Sequence, residues 1–65
     1  MNTSELRKAA LEAEARNDWG EAARLLEAAV AAYPRPIVGR QAKIDILAMI
    51  NRAADLRIYQ RRYQE

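Results

Sequence analysis

The chain is short, at 65 residues, and its 11 basic and 9 acidic side chains leave a net charge of only +2. It contains no cysteine and no histidine, so disulfides, thiol nucleophiles and the usual zinc sites are excluded. Because a chain of this length buries only about 60% of the surface that its unfolded form exposes, we expect one small domain that depends on close helix packing or on a partner chain.

A first helix is predicted over about residues 4–16. Asn2 and Glu5 have the spacing of a capping box, in which the side chain of each residue accepts a hydrogen bond from the backbone of the other. Small and apolar residues then recur every three or four positions. This narrow face consists of Leu6, Ala9, Ala10 and Ala13. We expect the helix to end in a turn at Asn17, a residue type that tolerates the left-handed conformation found after helix ends.

A second helix is predicted over about residues 18–33, with Asp18 and Glu21 at capping-box spacing. Its apolar face is broader than that of the first helix. The members of this face are Ala22, Leu25, Leu26, Ala29, Val30 and Tyr33. Trp19 lies in the first turn and is expected in the core of the hairpin; the alternative is an exposed anchor for a partner. Pro34 ends the helix because proline lacks the backbone donor that a helix requires.

A third, longer helix is predicted over about residues 37–63, after a stiff segment that contains Pro34 and Pro36. Because Gly39 weakens the first turn, its secure start is expected between Pro36 and Gln41. At about 100° per residue, its apolar residues cover well over half of the helix circumference, which is too wide for contact with a single neighbour. We therefore expect one flank to cover the first two helices and the other to bind a second copy or a different protein. The residues predicted for that outer contact are Ile46, Met49, Ile50, Ala53 and Arg57.

Residues 6–34 resemble the tetratricopeptide repeat, a hairpin of two antiparallel helices about 34 positions long. The matching residues are Ala10 in the first helix, Trp19 at the start of the second, the Glu21–Ala22 pair, Leu26, Ala29 and the terminating Pro34. The sequence departs from the family at Leu6, Ala13 and Asn17, where the family favours tryptophan, an aromatic residue and glycine. The resemblance implies an all-α fold, a third helix in the place of the helix that caps such arrays, and a function in protein binding.

No group of residues predicts catalysis. Glu12 and Glu14 are two positions apart on a helix, so their carboxylates diverge and cannot share a substrate or a metal ion. Gly20 and Gly39 stand alone, which excludes a glycine-rich phosphate loop. We therefore predict that the protein is not an enzyme and carries no cofactor and no metal.

Charge is divided unevenly along the chain. Residues 1–33 hold four bases and six acids, a net charge of −2, whereas residues 34–65 hold seven bases and three acids, a net charge of +4. Such halves can steer a partner or allow two copies to meet in antiparallel fashion. Because no apolar run approaches the ~18 residues of a membrane span and the first residues are polar, we expect a cytoplasmic protein without membrane contact.

Arginines interleaved with tyrosines occupy the end of the third helix, a pattern that can pair with phosphates and stack on bases. The residues concerned are Arg52, Arg57, Arg61, Arg62, Tyr59 and Tyr63. A second interpretation is that the arginines are solvated and stabilise the C-terminal end of the helix through its dipole, while the tyrosines close a helix or dimer contact. A third is that the basic face contacts an acidic protein.

Two functions are therefore consistent with the sequence. The first is a small protein-interaction module, such as an adaptor, a chaperone-like subunit or a phage-type inhibitor, that self-associates as a homodimer through the third helix. The second, the alternative, is a nucleic-acid-binding protein that uses the basic end of that helix.

Overall fold

The computed structural model describes residues 1–63, which fold into three α-helices with no strand among them. Helix α1 spans Thr3–Ala15, α2 spans Trp19–Ala31 and α3 spans Arg40–Tyr63. The predicted all-α class is confirmed, and α1 and α2 begin and end within two residues of their predicted bounds. Helix α3 begins at Arg40, within the predicted window between Pro36 and Gln41 but after position 37, because Gly39 has a φ of +89°, which lies outside the range of a right-handed helix.

Local hydrogen bonds determine where α1 begins and ends. The N–H of Glu5 donates to Oδ1 of Asn2 at 2.9 Å, and the N–H of Asn2 donates to Oε1 of Glu5 at 3.4 Å, which completes the predicted capping box. At the other end, Asn17 has a φ of +59°, and the N–H of Asp18 donates to the carbonyl of Ala13 at 2.9 Å. This arrangement is a Schellman motif, which reverses the chain and leads it directly into α2.

Helix α2 is the central helix of the fold. It packs against α1 on one side and α3 on the other, whereas the backbones of α1 and α3 do not contact each other within the described residues. The hydroxyl of Thr3 also donates to the carbonyl of Ala29 at 3.3 Å, linking the start of α1 to the end of α2. The buried core consists of Leu6, Ala10, Ala13, Ala22, Ala23, Leu25, Leu26, Ala29, Met49, Ala53 and Leu56. Helix α3 therefore covers the hairpin through α2.

Candidate interaction surface on the third helix

The inner face of α3 packs against α2 and includes two residues that the sequence predicted for the outer contact. Met49, Ala53 and Leu56 are all buried, and Leu56 is 0% exposed. The prediction is therefore corrected for Met49 and Ala53, which belong to the core. The reason is geometric: both side chains lie within about 60° of Leu56 around the helix axis, so packing Leu56 against α2 buries them as well.

The other three residues predicted for the contact lie beside this inner face. Ile46 is half-buried and packs against the core. Ile50 is exposed and borders a groove of ≈ 330 Å³ between α2 and α3. Arg57 forms an ion pair with Glu27 of α2, with 2.7 Å between its Nη2 and the carboxylate Oε1. Arg57 is thus engaged inside the chain, while Ile50 remains accessible.

A line of apolar side chains is exposed on the opposite side of α3. Leu47 is 59% exposed, Ile58 is 50% exposed and Ile44 is 48% exposed. Asn51 and Ala54, both exposed, lie between them, so that the spacing alternates between three and four residues. Around the helix axis, these five residues point roughly 170° away from the inner face. We call Ile44, Leu47, Asn51, Ala54 and Ile58 the outer stripe.

The outer stripe has the spacing of a heptad repeat, a pattern that is present in the sequence but becomes distinct only when the buried side of α3 is known. Ile44, Asn51 and Ile58 occupy a positions, and Leu47 and Ala54 occupy d positions. The sequence pattern shows only that the apolar arc of α3 is wide. Which part of the arc faces α2 depends on tertiary packing, and that packing leaves the heptad positions on the outside.

The basic end of α3 is engaged partly within the chain. Arg52 forms an ion pair with Glu14 of α1, and its Nε also donates to Oε1 of that carboxylate at 3.1 Å. This hydrogen bond raises the pKa of Arg52 above its ordinary value. Among the ion pairs of residues 1–63, none involves Arg61 or Arg62, and both are exposed. Of the four arginines predicted to contact phosphates, two therefore carry an acidic partner.

An aromatic cluster joins the end of α3 to the start of α2. The ring centroid of Trp19 lies 5.6 Å from that of Tyr59, in an edge-to-face arrangement, and 6.4 Å from that of Tyr63. The guanidinium of Arg52 lies 5.9 Å from the centroid of the Tyr59 ring. Trp19 was predicted in the hairpin core, and it does pack against the core, but its aromatic partners are on α3. The cluster stabilises the docking of α3 on α2.

Metal binding and membrane insertion have no support in the described part of the chain. Residues 1–63 contain no group of three acidic side chains that could hold a metal ion. None of the three helices is long and apolar enough to cross a membrane.

Comparisons of the chain with protein-family models, with curated proteins and with solved structures give no match.

Proposed function

We propose that the protein is a small interaction module that forms a homodimer through the outer stripe of α3. The observation that carries this proposal is the line of exposed side chains from Ile44 to Ile58, apolar except at Asn51, which extends over about 21 Å of the helix. Isolated exposed apolar residues are common on soluble domains, but a continuous line is typical of an interaction surface. A line with heptad spacing is the kind of surface along which two helices pack.

The composition of the core supports the same proposal. Six of its eleven buried residues are alanine, and alanine removes little apolar area from water when it is buried. A domain of this size has marginal stability as a monomer. Burial of the outer stripe against a second copy would add apolar area at about 25 cal/mol per Å². Dimerisation therefore stabilises the folded chain by mass action.

The substitution Leu47→Asp tests the proposal, because Leu47 is the most exposed apolar side chain of the outer stripe. Dimerisation would remove roughly half of a leucine side chain from water in each copy, worth about 1–2 kcal/mol per copy. An aspartate at this position loses the free energy of apolar burial, and its charged carboxylate must also be desolvated. We expect a dimeric mass for the wild-type protein in size exclusion with light scattering. We expect a monomeric mass for Leu47→Asp with unchanged helicity.

Leu11→Asp is the matched control for this experiment. Leu11 lies on α1 and is 67% exposed, so the same chemical change is made on a different surface. The control variant should remain dimeric. A monomeric wild-type protein at tens of micromolar would contradict the proposal, and so would a dimer that Leu11→Asp dissociates and Leu47→Asp does not.

We extend the proposal to the type of hairpin, which we assign to the tetratricopeptide class. Support comes from the equal length of α1 and α2, 13 residues each, and from the alanines at their interface, of which Ala10 and Ala29 are fully buried. Small residues at such positions let two helices approach closely. In this proposal α3 takes the capping position, and the dimer acts as an adaptor, a chaperone-like subunit or an inhibitor of a larger assembly.

The alternative function, nucleic-acid binding, has weaker support. Arg61 and Arg62 are exposed and could contact phosphates, but Arg52 and Arg57 are engaged by carboxylates of the same chain. Tyr59 is half-buried against Trp19, and the guanidinium of Arg52 lies over its ring, so stacking of a base on this ring would have to displace Arg52. The observations favour the protein contact.

A further inference from the structure

The charges beside the outer stripe restrict how two copies can pair. When the heptad register of the stripe is continued along α3, its C-terminal arginines take positions that face the partner helix. Arg61 takes a d position, Arg57 a g position and Arg62 an e position. All three side chains are exposed. Asp55, at an e position, is the nearest acidic residue of α3 on this side.

A parallel pairing would bring these arginines together. Residues at the same d position face each other across a parallel seam, so Arg61 would lie against its own copy in the partner. A g residue faces the next e residue of the other helix, so Arg57 would lie against Arg62 on both sides of the seam. Asp55 would face an isoleucine, Ile50, and could not neutralise them. Because Arg57 is paired with Glu27 of its own chain, most of this repulsion falls on Arg61 and Arg62. Three arginines of each copy would thus lie within about 8 Å along the axis.

An antiparallel pairing separates the same arginines. In that orientation a positions face d positions, e positions face e positions, and g positions face g positions. With Asn51 opposite Ala54, Leu47 packs against Ile58 of the second copy. Arg61 then lies over Ile44, which its aliphatic stem can cover while the guanidinium stays in water.

The flanks of this register contain no like-charge contact. Arg57 faces Ile50 of the second copy, and Asp55 faces Ala48. The two helix dipoles also oppose each other, which places the positive end of one helix beside the negative end of the other.

Other antiparallel registers restore the repulsion. A slide of one heptad in one direction places Lys43 against Arg57 twice in the dimer. A slide in the opposite direction places Asp55 against Asp55 and Arg57 against Arg57. Like charges that face each other across a helix pair are unfavourable.

We infer that two copies of the chain pair along the outer stripe in antiparallel orientation, in the register that places Leu47 against Ile58. The inference rests on the proposed homodimer and adds its orientation, its register and the role of the arginines. Their function at the seam is to exclude the parallel arrangement, which is a form of specificity achieved by repulsion. Asn51 would pair with a second asparagine in a parallel dimer, whereas here it faces Ala54, so the antiparallel orientation requires the repulsion among the arginines to outweigh that asparagine pair.

Disulfide cross-linking tests this orientation cleanly, because the chain has no cysteine of its own. Leu47→Cys and Ile58→Cys are prepared separately, one of them with a tag that changes its size, and are oxidised alone or as an equal mixture. We expect the mixture to form a covalent heterodimer. Each variant alone should form little, because two copies of one position would lie about 16 Å apart along the axis, whereas a disulfide requires Cα atoms within roughly 7 Å.

The outcomes separate failure of the inference from failure of the proposed function. Rapid cross-linking of each variant with itself would show a parallel dimer, which overturns the orientation but retains the homodimer. A wild-type protein that is dimeric by light scattering but whose variants do not cross-link in any combination would also overturn the inference. A folded, monomeric wild-type protein would overturn the proposed function itself.

A second pair of cysteine variants keeps the orientation testable if one of the first two variants does not fold. Ile44→Cys mixed with Arg61→Cys occupies the next layer of the same register and should also give the heterodimer. Leu11→Cys, on α1, is the control and should cross-link with none of the other variants.

Discussion

Two leucines on opposite faces of α3 allow the core and the outer stripe to be separated by the same substitution. Leu56 is 0% exposed and packs in the core, whereas Leu47 is 59% exposed on the outer stripe. Leu56→Ala removes buried methyl groups and leaves a cavity, which costs about 3–5 kcal/mol in well-packed cores. Leu47→Ala removes a surface side chain from the monomer, so the monomer should lose no more than about 0.5 kcal/mol.

The size of the core effect is large for this chain. At roughly 0.05–0.15 kcal/mol per residue, a chain of this length has a total free energy of unfolding of about 3–10 kcal/mol. Leu56→Ala should therefore remove a third of the stability or more. At about 4–8 °C per kcal/mol for a domain of this size, the melting temperature should fall by at least roughly 12 °C.

The effect of Leu47→Ala should appear in dimerisation instead. The substitution removes roughly 2.4 kcal/mol of transfer free energy for a fully buried leucine, and about half of that value applies to a residue already half-buried in the monomer. Two copies together therefore lose about 2.4 kcal/mol, which is roughly a fiftyfold increase in Kd.

Urea unfolding followed by the fluorescence of Trp19 distinguishes the two effects, since Trp19 is the first residue of α2 and its ring contacts the tyrosines of α3. Each variant is unfolded at two protein concentrations, one below and one above the wild-type Kd. The midpoint of Leu56→Ala should fall at both concentrations, and that of Leu47→Ala only at the higher one. If Leu56→Ala proved no less stable than Leu47→Ala, the assignment of the two faces would be refuted.

Two further predictions concern the turn and the link between α1 and α3. Because Asn17 has a φ of +59°, Asn17→Gly should be at least as stable as the wild type in a thermal melt, whereas Asn17→Val should lose about 1–2 kcal/mol or more; equal melting temperatures for both would contradict the turn geometry. A double-mutant cycle on Glu14 and Arg52 should give a coupling of about 0.2–1 kcal/mol that decreases as salt is added. A coupling that does not respond to salt would indicate that the ion pair is not its source.

The ends of the helices could be predicted because their signals are local. The capping box at Asn2, the left-handed Asn17 and the terminating Pro34 each act on residues within one turn of themselves. The weakening effect of Gly39 restricts the start of α3 only to the window between Pro36 and Gln41, because its positive φ could not be read from residue type alone; the helix begins at Arg40.

The faces of the helices were harder to predict because they depend on contacts between distant parts of the chain. Ala23 is buried although it lies outside the predicted face of α2. The cause is that α2 is covered from two sides, by α1 and by α3, whereas the apolar periodicity of the sequence predicts a single buried face. For α3 the apolar arc exceeded what one neighbour could bury, which indicated two contacts but did not assign residues to them.

The division of charge along the chain takes a different meaning once the contacts are known. The acidic first half and the basic second half suggested that two copies could attract each other, but Glu14 and Glu27 bind Arg52 and Arg57 of the same chain. Much of the electrostatic attraction is therefore used to hold α3 against the hairpin. Attraction between copies must then come from the apolar outer stripe, which has no direction of its own. In the proposed dimer, direction comes from the repulsion among the C-terminal arginines, so the basic end of α3 determines orientation rather than affinity.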